Sequence, residues 1–228
     1  MAKFLPGPTV AAVSGSIGGT VYSHNRFGMY MRNRSKPVVS TTEKAIAAKA
    51  LFSAASQAWQ ALAIGIQQAW NMWANGNPIV GSLGQPQNLT GHAAFSGNYC
   101  VMTKLGQATL TSPPITPAPT PLTAVSVLAS KTLGTADVTF LATPLGAGTV
   151  LWFRGCYVAS AGKHYIQNLL RWCPISAVAP ASPYDAFANF ETALGTMTIG
   201  HRLVLNVSVA DQATGLLSQP LRCEDTIV

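Results

Sequence analysis

Histidine, cysteine and acidic side chains are the groups of this 228-residue chain that could bind a metal or carry catalysis. The four histidines are widely separated, and none has a carboxylate or a cysteine at the spacing of metal ligands. The four cysteines include no Cys-x-x-Cys pair and match no zinc-binding pattern. These spacings predict neither a metal site nor a Cys/His nucleophile. The cysteines lie at positions 100, 156, 173 and 223, and the histidines at positions 24, 92, 164 and 201.

Carboxylates are too few and too scattered for paired acid–base catalysis. Glu43 is the only acidic residue among the first 136, and the others lie near predicted turns, in a predicted crossing segment or at the C-terminus. The glycine cluster at 15–19 lacks the Gly-Lys-Ser/Thr of a phosphate-binding loop, and no Gly-x-Ser-x-Gly motif occurs. Because an enzyme needs a perturbed titratable group in a pocket, the sequence predicts a non-enzymatic protein without a cofactor or a small-molecule substrate.

The chemistry that the sequence does offer is that of a basic arm. Residues 1–110 hold eight basic side chains and one acid, whereas residues 111–228 hold six of each. The whole formal charge of +7 therefore lies in the first half, and five of the basic residues fall within residues 1–36. A basic arm on a neutral body predicts contact with nucleic acid or with an acidic protein surface. The candidate contact residues are Tyr22, Arg26, Phe27, Tyr30, Arg32, Arg34 and Lys36.

Three interpretations of this arm remain open. Its basic side chains could neutralise phosphates while its aromatic rings stack on bases, which would give salt-dependent binding without sequence preference. Alternatively, the arm adds strands to a neighbouring subunit, and its arginines meet acidic groups of that subunit. The third interpretation is a hairpin that is simply solvated. We favour strand addition.

The low charge content of the chain also favours a partner. Charged residues make up 9% of the sequence, compared with about 25% in a typical soluble domain. Neutral and apolar surface is usually covered by another molecule, although a surface rich in Thr, Ser and Gln would also remain soluble. No secretory signal is expected, because prolines follow Lys3 where an apolar run would be required. Lysine and glutamine interrupt the Ala-rich stretch 45–74, so we expect no membrane contact.

The elements that position the arm are predicted to be extended. Residues 20–23 and 28–32 have strand character, and the segment between them has turn chemistry. Arg32, Arg34 and Lys36 alternate along the chain, so an extended backbone would place them on one face.

The next region is predicted to be helical over residues 41–76, with a break near 63–65, and again over residues 90–105. Threonines at the helix starts are the expected N-caps. Three tryptophans in this region could form a ligand-stacking cage, but we expect them to pack in the core. They are Trp59, Trp70 and Trp73.

Residues 111–121 form a Pro-rich segment, after which the periodicity becomes that of β-strands. The strand-like segments and the turn signals between them predict an immunoglobulin- or fibronectin-like sandwich with Trp152 as its buried aromatic residue. The segment 184–194 is expected to form a short helix that crosses between the sheets. The strand-like segments are 122–130, 136–143, 149–158, 164–173, 197–210 and 215–222.

A hairpin is expected where two of these segments meet, with its turn near residues 161–162. In that register Cys156 faces Ile166 or Gln167 and not Cys173, so we expect buried thiols and no disulfide between them.

These elements together predict an α+β fold: an extended N-terminal arm with a short β-hairpin, a small helical region and a C-terminal immunoglobulin-like β-sandwich. The expected regions are the basic arm 1–40, the helical region 41–106, the Pro-rich linker 107–121 and the sandwich 122–228.

The first half of the chain resembles a pattern of uncharacterised phage and prophage proteins, over about residues 12–100. The pattern combines a glycine-rich turn, a Thr-Val-Tyr-Ser strand, an Arg-rich run and tryptophans at helical spacing. The sequence departs from it at 63–65, where a Thr-led helix start would be expected. The matching residues are Gly15, Gly18, Gly19, Thr20, Val21, Tyr22, Ser23, Gly28, the run 32–37, Thr42, Phe52, Trp59, Leu62, Ala69, Trp70, Ala74, Gly91, Phe95 and Asn98.

This resemblance implies a structural subunit of a tailed-phage virion, such as a capsid decoration, minor head, head–tail or tail component. Its partners would be other virion proteins and copies of itself, and it would be located in the virion after assembly in the host cytoplasm. The appended sandwich is similar to immunoglobulin-like domains that decorate phage heads and tails.

Two other function classes remain as alternatives. One is a nucleic-acid-binding protein that uses the basic arm. The other is a receptor- or glycan-binding module in the sandwich, although core burial of the aromatic residues that would serve it is favoured. Those residues are Trp152, Tyr157, Tyr165 and Trp172.

Overall fold

The computed structural model describes residues 2–3, 12–25, 28–35, 41–80, 86–141, 143–160, 162–163 and 165–228. The chain has the predicted α+β fold. It divides into two compact units, residues 1–48 and residues 49–228.

The N-terminal unit contains a four-stranded antiparallel sheet in the order β1-β4-β3-β2. Its strands are β1 (Ala2–Lys3), β2 (Gly15–Ile17), β3 (Thr20–Asn25) and β4 (Gly28–Asn33). Gly18 and Gly19 make the turn between β2 and β3, and Gly18 has a φ of +57°, which favours glycine. The two predicted strands are confirmed as β3 and β4, and the structure adds an edge strand on each side of them.

Three helices and a short strand pair follow. They are α1 (Glu43–Ala61), α2 (Ile64–Gly76), β5 (Ile79–Val80), β6 (Pro86–Gln87) and α3 (Gly91–Lys104). The predicted helices and the break near 63–65 are confirmed. The hydroxyl of Thr90 accepts a hydrogen bond from the Ala93 N–H at 3.3 Å, which makes Thr90 the expected N-cap of α3.

The helices pack around an aromatic centre. Trp70 is fully buried, and Phe95 meets it edge to face with ring centroids 5.5 Å apart. The indole Nε1 of Trp70 donates a hydrogen bond to the Thr111 carbonyl at 2.8 Å. Trp59 and Trp73 are half-buried against the same cluster. The tryptophans therefore pack in the core of the helical region, as expected.

The C-terminal part is a sandwich of two antiparallel sheets. One sheet has the order β11-β8-β7, and the other has the order β10-β9-β12-β13. A short helix, α4, lies between β11 and β12 along the chain, within the predicted crossing segment. The elements are β7 (Ala124–Ser130), β8 (Thr135–Leu141), β9 (Thr149–Val158), β10 (Arg171–Trp172), β11 (Tyr184–Asp185), α4 (Phe187–Leu194), β12 (Arg202–Asp211) and β13 (Leu221–Thr226).

The core of the sandwich lies between the two sheets. Alternate residues of β7, β8, β9 and β12 point inward, and three phenylalanines fill the space between them. Lettered in chain order, β7 to β13 give sheets A-B-E and C′-C-F-G, which is an immunoglobulin-like arrangement. The buried phenylalanines are Phe140, Phe153 and Phe190.

The prediction that Trp152 is the core aromatic of the sandwich is wrong. Trp152 is buried, but it lies on the outer face of the four-stranded sheet, where it packs with Met102 and Leu105. Its neighbour Phe153 takes the inner position.

Two predicted strands are also wrong in extent. The segment 164–173 forms a strand only at β10, and described residues before it make turns that place Ile166 against the outer face of the sheet. The strand predicted at 215–222 is displaced to β13, because a tight turn at 211–215 is followed only by an isolated bridge between Ala210 and Leu217.

The predicted hairpin register around Cys156 is wrong as well. The β9–β10 ladder pairs Gly155 with Arg171, although Cys156 and Ile166 do belong to one apolar cluster. All four cysteines are free thiols.

Helix α3 joins the helical region to the sandwich. Met102 packs against Trp152 on the outer face of the four-stranded sheet. The Asn98 side-chain amide donates a hydrogen bond to the Thr214 carbonyl at 2.7 Å. The helices after residue 48 and the sandwich thus form one compact unit across the Pro-rich linker, and the region borders given above stay predictions.

Gly215 is the closest point of this junction and can be tested by substitution. A Cβ at Gly215 would lie 2.7 Å from the Met102 Sδ and 3.0 Å from the Asn98 Nδ2. Gly215→Ala is therefore expected to cost about 1–3 kcal/mol of overpacking, in addition to about 1–2 kcal/mol for its left-handed backbone. The measurement is the free energy of unfolding by denaturant.

Gly134 provides a matched control. It has the same φ of +66°, and nothing lies within 4 Å of a Cβ built there. Gly134→Ala should show the backbone cost alone. Equal losses of unfolding free energy in the two variants would contradict the close packing at Gly215.

Candidate assembly surfaces

The strand register of the N-terminal sheet assigns the predicted contact residues to two faces. Tyr22 pairs with Met31, whereas Ser23 pairs with Tyr30. Since residues paired across antiparallel strands share a face and neighbours along a strand do not, Tyr30 and Arg32 lie on one face. Tyr22 lies on the other face.

The basic residues of the arm are only partly placed by the structure. Arg32 and Arg34 are exposed. The backbone N–H of Arg34 donates to the Gly19 carbonyl at 2.7 Å, just beyond the end of β4. Arg26, Phe27 and Lys36 lie outside the described residues, so the alternating basic face that includes Lys36 stays a prediction.

The N-terminal sheet has regular strand pairing, but its described side chains form no core. Among residues 12–24, 29–35 and 41–48, whose exposure the structure describes, none is buried. Ile17 on the edge strand β2 is 75% exposed. Two- to four-stranded sheets gain their stability from a buried apolar face, so this sheet lacks within the described residues the packing that would hold it alone.

The aromatic residues of the proposed glycan platform do not share one surface. Trp152 and Trp172 meet on the outer face of the four-stranded sheet, with ring centroids 5.8 Å apart. Tyr157 is half-buried against the sandwich core, and Tyr165 is 74% exposed in the connection between β9 and β10. The structure therefore brings together only the first two.

Lys104 of α3 lies beside those two rings. Its Nζ is 5.8 Å from the Trp152 ring centroid and 5.2 Å from that of Trp172, within the range of cation–π attraction. Partial burial lowers the pKa of Lys104, the nearby Cys100 raises it, and the positive charge of Arg154 lowers it further. No sequence motif indicates this contact, because its partners are about 50 and 70 residues apart from it along the chain.

The thiols are unsuited to nucleophilic chemistry. Burial, and secondarily the charge of Glu224, raises the pKa of Cys223 to about 12. Burial also raises the pKa values of Cys100 and Cys156 above the ordinary value of 9.0. Since the thiolate is the reactive form, the raised pKa values disfavour nucleophilic chemistry at Cys100, Cys156 and Cys223.

A largely apolar cavity of about 300 Å³ lies where α2, α3 and the chain after Gly215 meet. Trp73, Ala94 and Leu217 are among the residues that line it, and the Asn98 amide borders it. That amide is already bonded to the Thr214 carbonyl, so the cavity presents little polar chemistry to a ligand. No sequence pattern indicates this cavity, because its lining residues come from separate parts of the chain.

The described residues contain no cluster of three or more His, Cys, Asp or Glu side chains arranged to hold a metal ion. Measured by length and hydropathy, none of the described helices qualifies as a membrane span.

No protein-family model matches the chain, and no curated protein matches it either. A solved structure, described as a Fn3-like protein from Clostridium thermocellum, aligns at 17% identity. The alignment covers 49% of this chain and 96% of that one, with a TM-score of 0.29. The immunoglobulin-like assignment rests on the strand order of the two sheets and not on this alignment.

The contact of Lys104 with two indoles predicts a measurable loss on substitution. Lys104→Met keeps the aliphatic stem but removes the charge. Loss of the cation–π attraction lowers the free energy of unfolding by about 0.5–1 kcal/mol, and relief of the partial burial of the charge acts in the opposite direction. We expect the cation–π loss to be the larger effect, because both rings lie within 6 Å of the ammonium group. Lys163→Met is the matched control, because Lys163 is exposed and takes part in no cation–π contact among the described residues. A loss at Lys104 no greater than that at Lys163 would contradict a stabilising cation–π contact.

Proposed function

We propose that this chain is a non-enzymatic structural subunit of a larger assembly, specifically of a tailed-phage virion. In this proposal the N-terminal sheet completes its packing against a neighbouring subunit. The observation that carries it is the absence of any buried residue among the described side chains of that sheet.

Two physical arguments favour a protein partner for the sheet. Its edge strand β2 is exposed at all three residues, and an exposed edge offers backbone donors and acceptors to another strand. Apolar side chains on both faces are only half-buried, including Val21 and Met31, and these would gain about 25 cal/mol for each Å² that a neighbour covers. Strand addition and apolar burial together would supply the affinity.

The virion part of the proposal depends on the sequence resemblance over residues 12–100. The low charge content is consistent with it, because a chain in a stable assembly needs less ionic surface to remain dispersed.

The proposal predicts that one charge at the sheet edge blocks assembly. Ile17→Lys would place an ammonium group in the proposed contact, so we expect incorporation into particles to fall by more than about tenfold. The measurement is quantitative mass spectrometry of purified particles from a genome that encodes each variant. Deletion of residues 1–40 should abolish incorporation.

Ile64→Lys is the matched control for this experiment. Ile64, in the first turn of α2, is 73% exposed and belongs to the other compact unit. The Ile64→Lys variant should be incorporated into particles as well as the parent protein is. Normal incorporation of the protein that lacks residues 1–40 would refute the proposal.

Nucleic-acid binding is the second candidate, and the exposure of Arg32 and Arg34 favours it. If the arm binds phosphates, log K for generic DNA falls with log salt by about 0.9 for each phosphate neutralised. The double variant Arg32→Gln/Arg34→Gln should then reduce that slope by about two. Arg171→Gln, an exposed arginine of the sandwich, is the control. Binding that is absent, or that is unchanged in the double variant, would exclude this use of Arg32 and Arg34.

A further inference from the structure

The outer faces of the two sandwich sheets can be assigned from the strand pairings. Leu205 and Val207 of β12 belong to the core, so Asn206 between them points outward. Residues that pair with Asn206 on the neighbouring strands share its face. The same alternation assigns the outward positions of the three-stranded sheet, where Val127 and Val138 point into the core.

The outer face of the four-stranded sheet is basic. Glu224 is the only acidic residue at the outward positions of its strands, and Arg222 and Arg202 already hold it at 3.1 and 3.5 Å. One row of paired residues crosses the sheet from edge to edge. It consists of Trp172, Arg154, Asn206 and Arg222.

Arg154 is the central unpaired charge of this row. It is exposed, and none of the ion pairs among the described residues involves it. Helix α3 covers one end of the sheet and Ile166 covers part of the other, and the row with Arg154 lies between them.

The outer face of the three-stranded sheet is acidic, with Asp185 exposed and Asp137 half-buried. Leu128, Asp137 and Asp185 form a row across its three strands. No basic residue occupies an outward position on these strands. Leu128 is 68% exposed and Leu141, on the same face, is 53% exposed, so apolar surface borders the carboxylates.

We propose that a second copy of this chain occupies these faces, with the basic row of one sandwich against the acidic row of the next. The inference extends the proposed assembly role and rests on it. Opposite charge on the two faces selects a copy in this orientation, because turning two like faces together would place like charges in contact. The exposed leucines supply the apolar area that charge pairs alone do not provide.

Arg154 and Asp137 are the central pair of this interface. Both carry a charge that no ion pair among the described residues neutralises. Asp185 is less available, since its Oδ1 accepts hydrogen bonds from the Ala136 and Phe187 N–H groups at 2.9 and 3.0 Å. Because the two surfaces differ, the contact is head to tail and repeats into a ring or a filament.

Charge reversal in the full-length chain tests this interface. Arg154→Glu and Asp137→Arg each place like charges in contact, so each should weaken self-association by on the order of tenfold. The double variant Arg154→Glu/Asp137→Arg restores an opposite pair at every interface and should return association to near the parental value. Sedimentation velocity over a concentration series, at about 0.05 M and about 0.5 M salt, gives the association constants.

Arg171→Glu is the matched control for Arg154→Glu, because both substitutions change the net charge by the same amount. Arg171 is exposed and pairs with the core-facing Gly155, so it lies outside the outward row. Circular dichroism confirms that each variant is folded. Loss of association in both single variants with recovery in the double variant supports the interface.

Three results would overturn it: a full-length chain that does not self-associate, single variants that associate normally, or a folded double variant that fails to recover. These outcomes are distinct from those of the arm experiment. If Ile17→Lys blocks incorporation while the charge reversals leave association unchanged, the arm proposal stands and the sandwich interface is rejected.

Discussion

The contact between α3 and the turn before Gly215 is the constraint on which the larger unit depends. The Asn98 amide binds the Thr214 carbonyl, and Gly215 approaches the Met102 side chain so closely that no Cβ fits. Packed interiors do not absorb added volume, and a buried amide requires its partner. This corner therefore fixes where α3 lies on the outer face of the sheet. The placement of Lys104 beside two indoles follows from it.

Sequence patterns predicted elements well where local residue types decide the structure. The helix break near 63–65 and the two strands on either side of the turn near residues 25–28 are examples. Strand β9 is different, since Trp152 and Phe153 are both buried, one on each face of the sheet. Periodicity does not show which of two apolar faces is inward. The strand predicted at 164–173 is wrong over residues 165–170 for a related reason. Ile166 is apolar, as a buried strand residue would be, but it packs against the outer face of the four-stranded sheet.

Surface features can be predicted from the sequence where they depend only on residues that are neighbours along the chain. Tyr30 and Arg32 share a face of β4, and period two assigns such neighbours from the sequence alone, whereas the predicted face of Arg32, Arg34 and Lys36 stays a prediction. The pairing of Arg154 with Asn206 joins residues 52 positions apart, and it exists only because β9 and β12 are adjacent. Counting charges in the sequence showed a balanced second half. Only the fold reveals that three of the six basic residues share one outer face and that two of the six acidic residues share the other.

The two compact units differ in how far they bury their apolar side chains, and this difference bears on assembly. The sandwich encloses its own core, in which Phe140 and Phe153 are fully buried. None of the described side chains of the arm is buried. In the proposed assembly the sandwich presents fixed charges, and the arm obtains its burial from a neighbouring subunit. Charged residues make up 9% of the sequence, and Arg154 and Asp137 belong to none of the ion pairs among the described residues. A few charges can then set the orientation of neighbouring copies while apolar contact supplies the free energy.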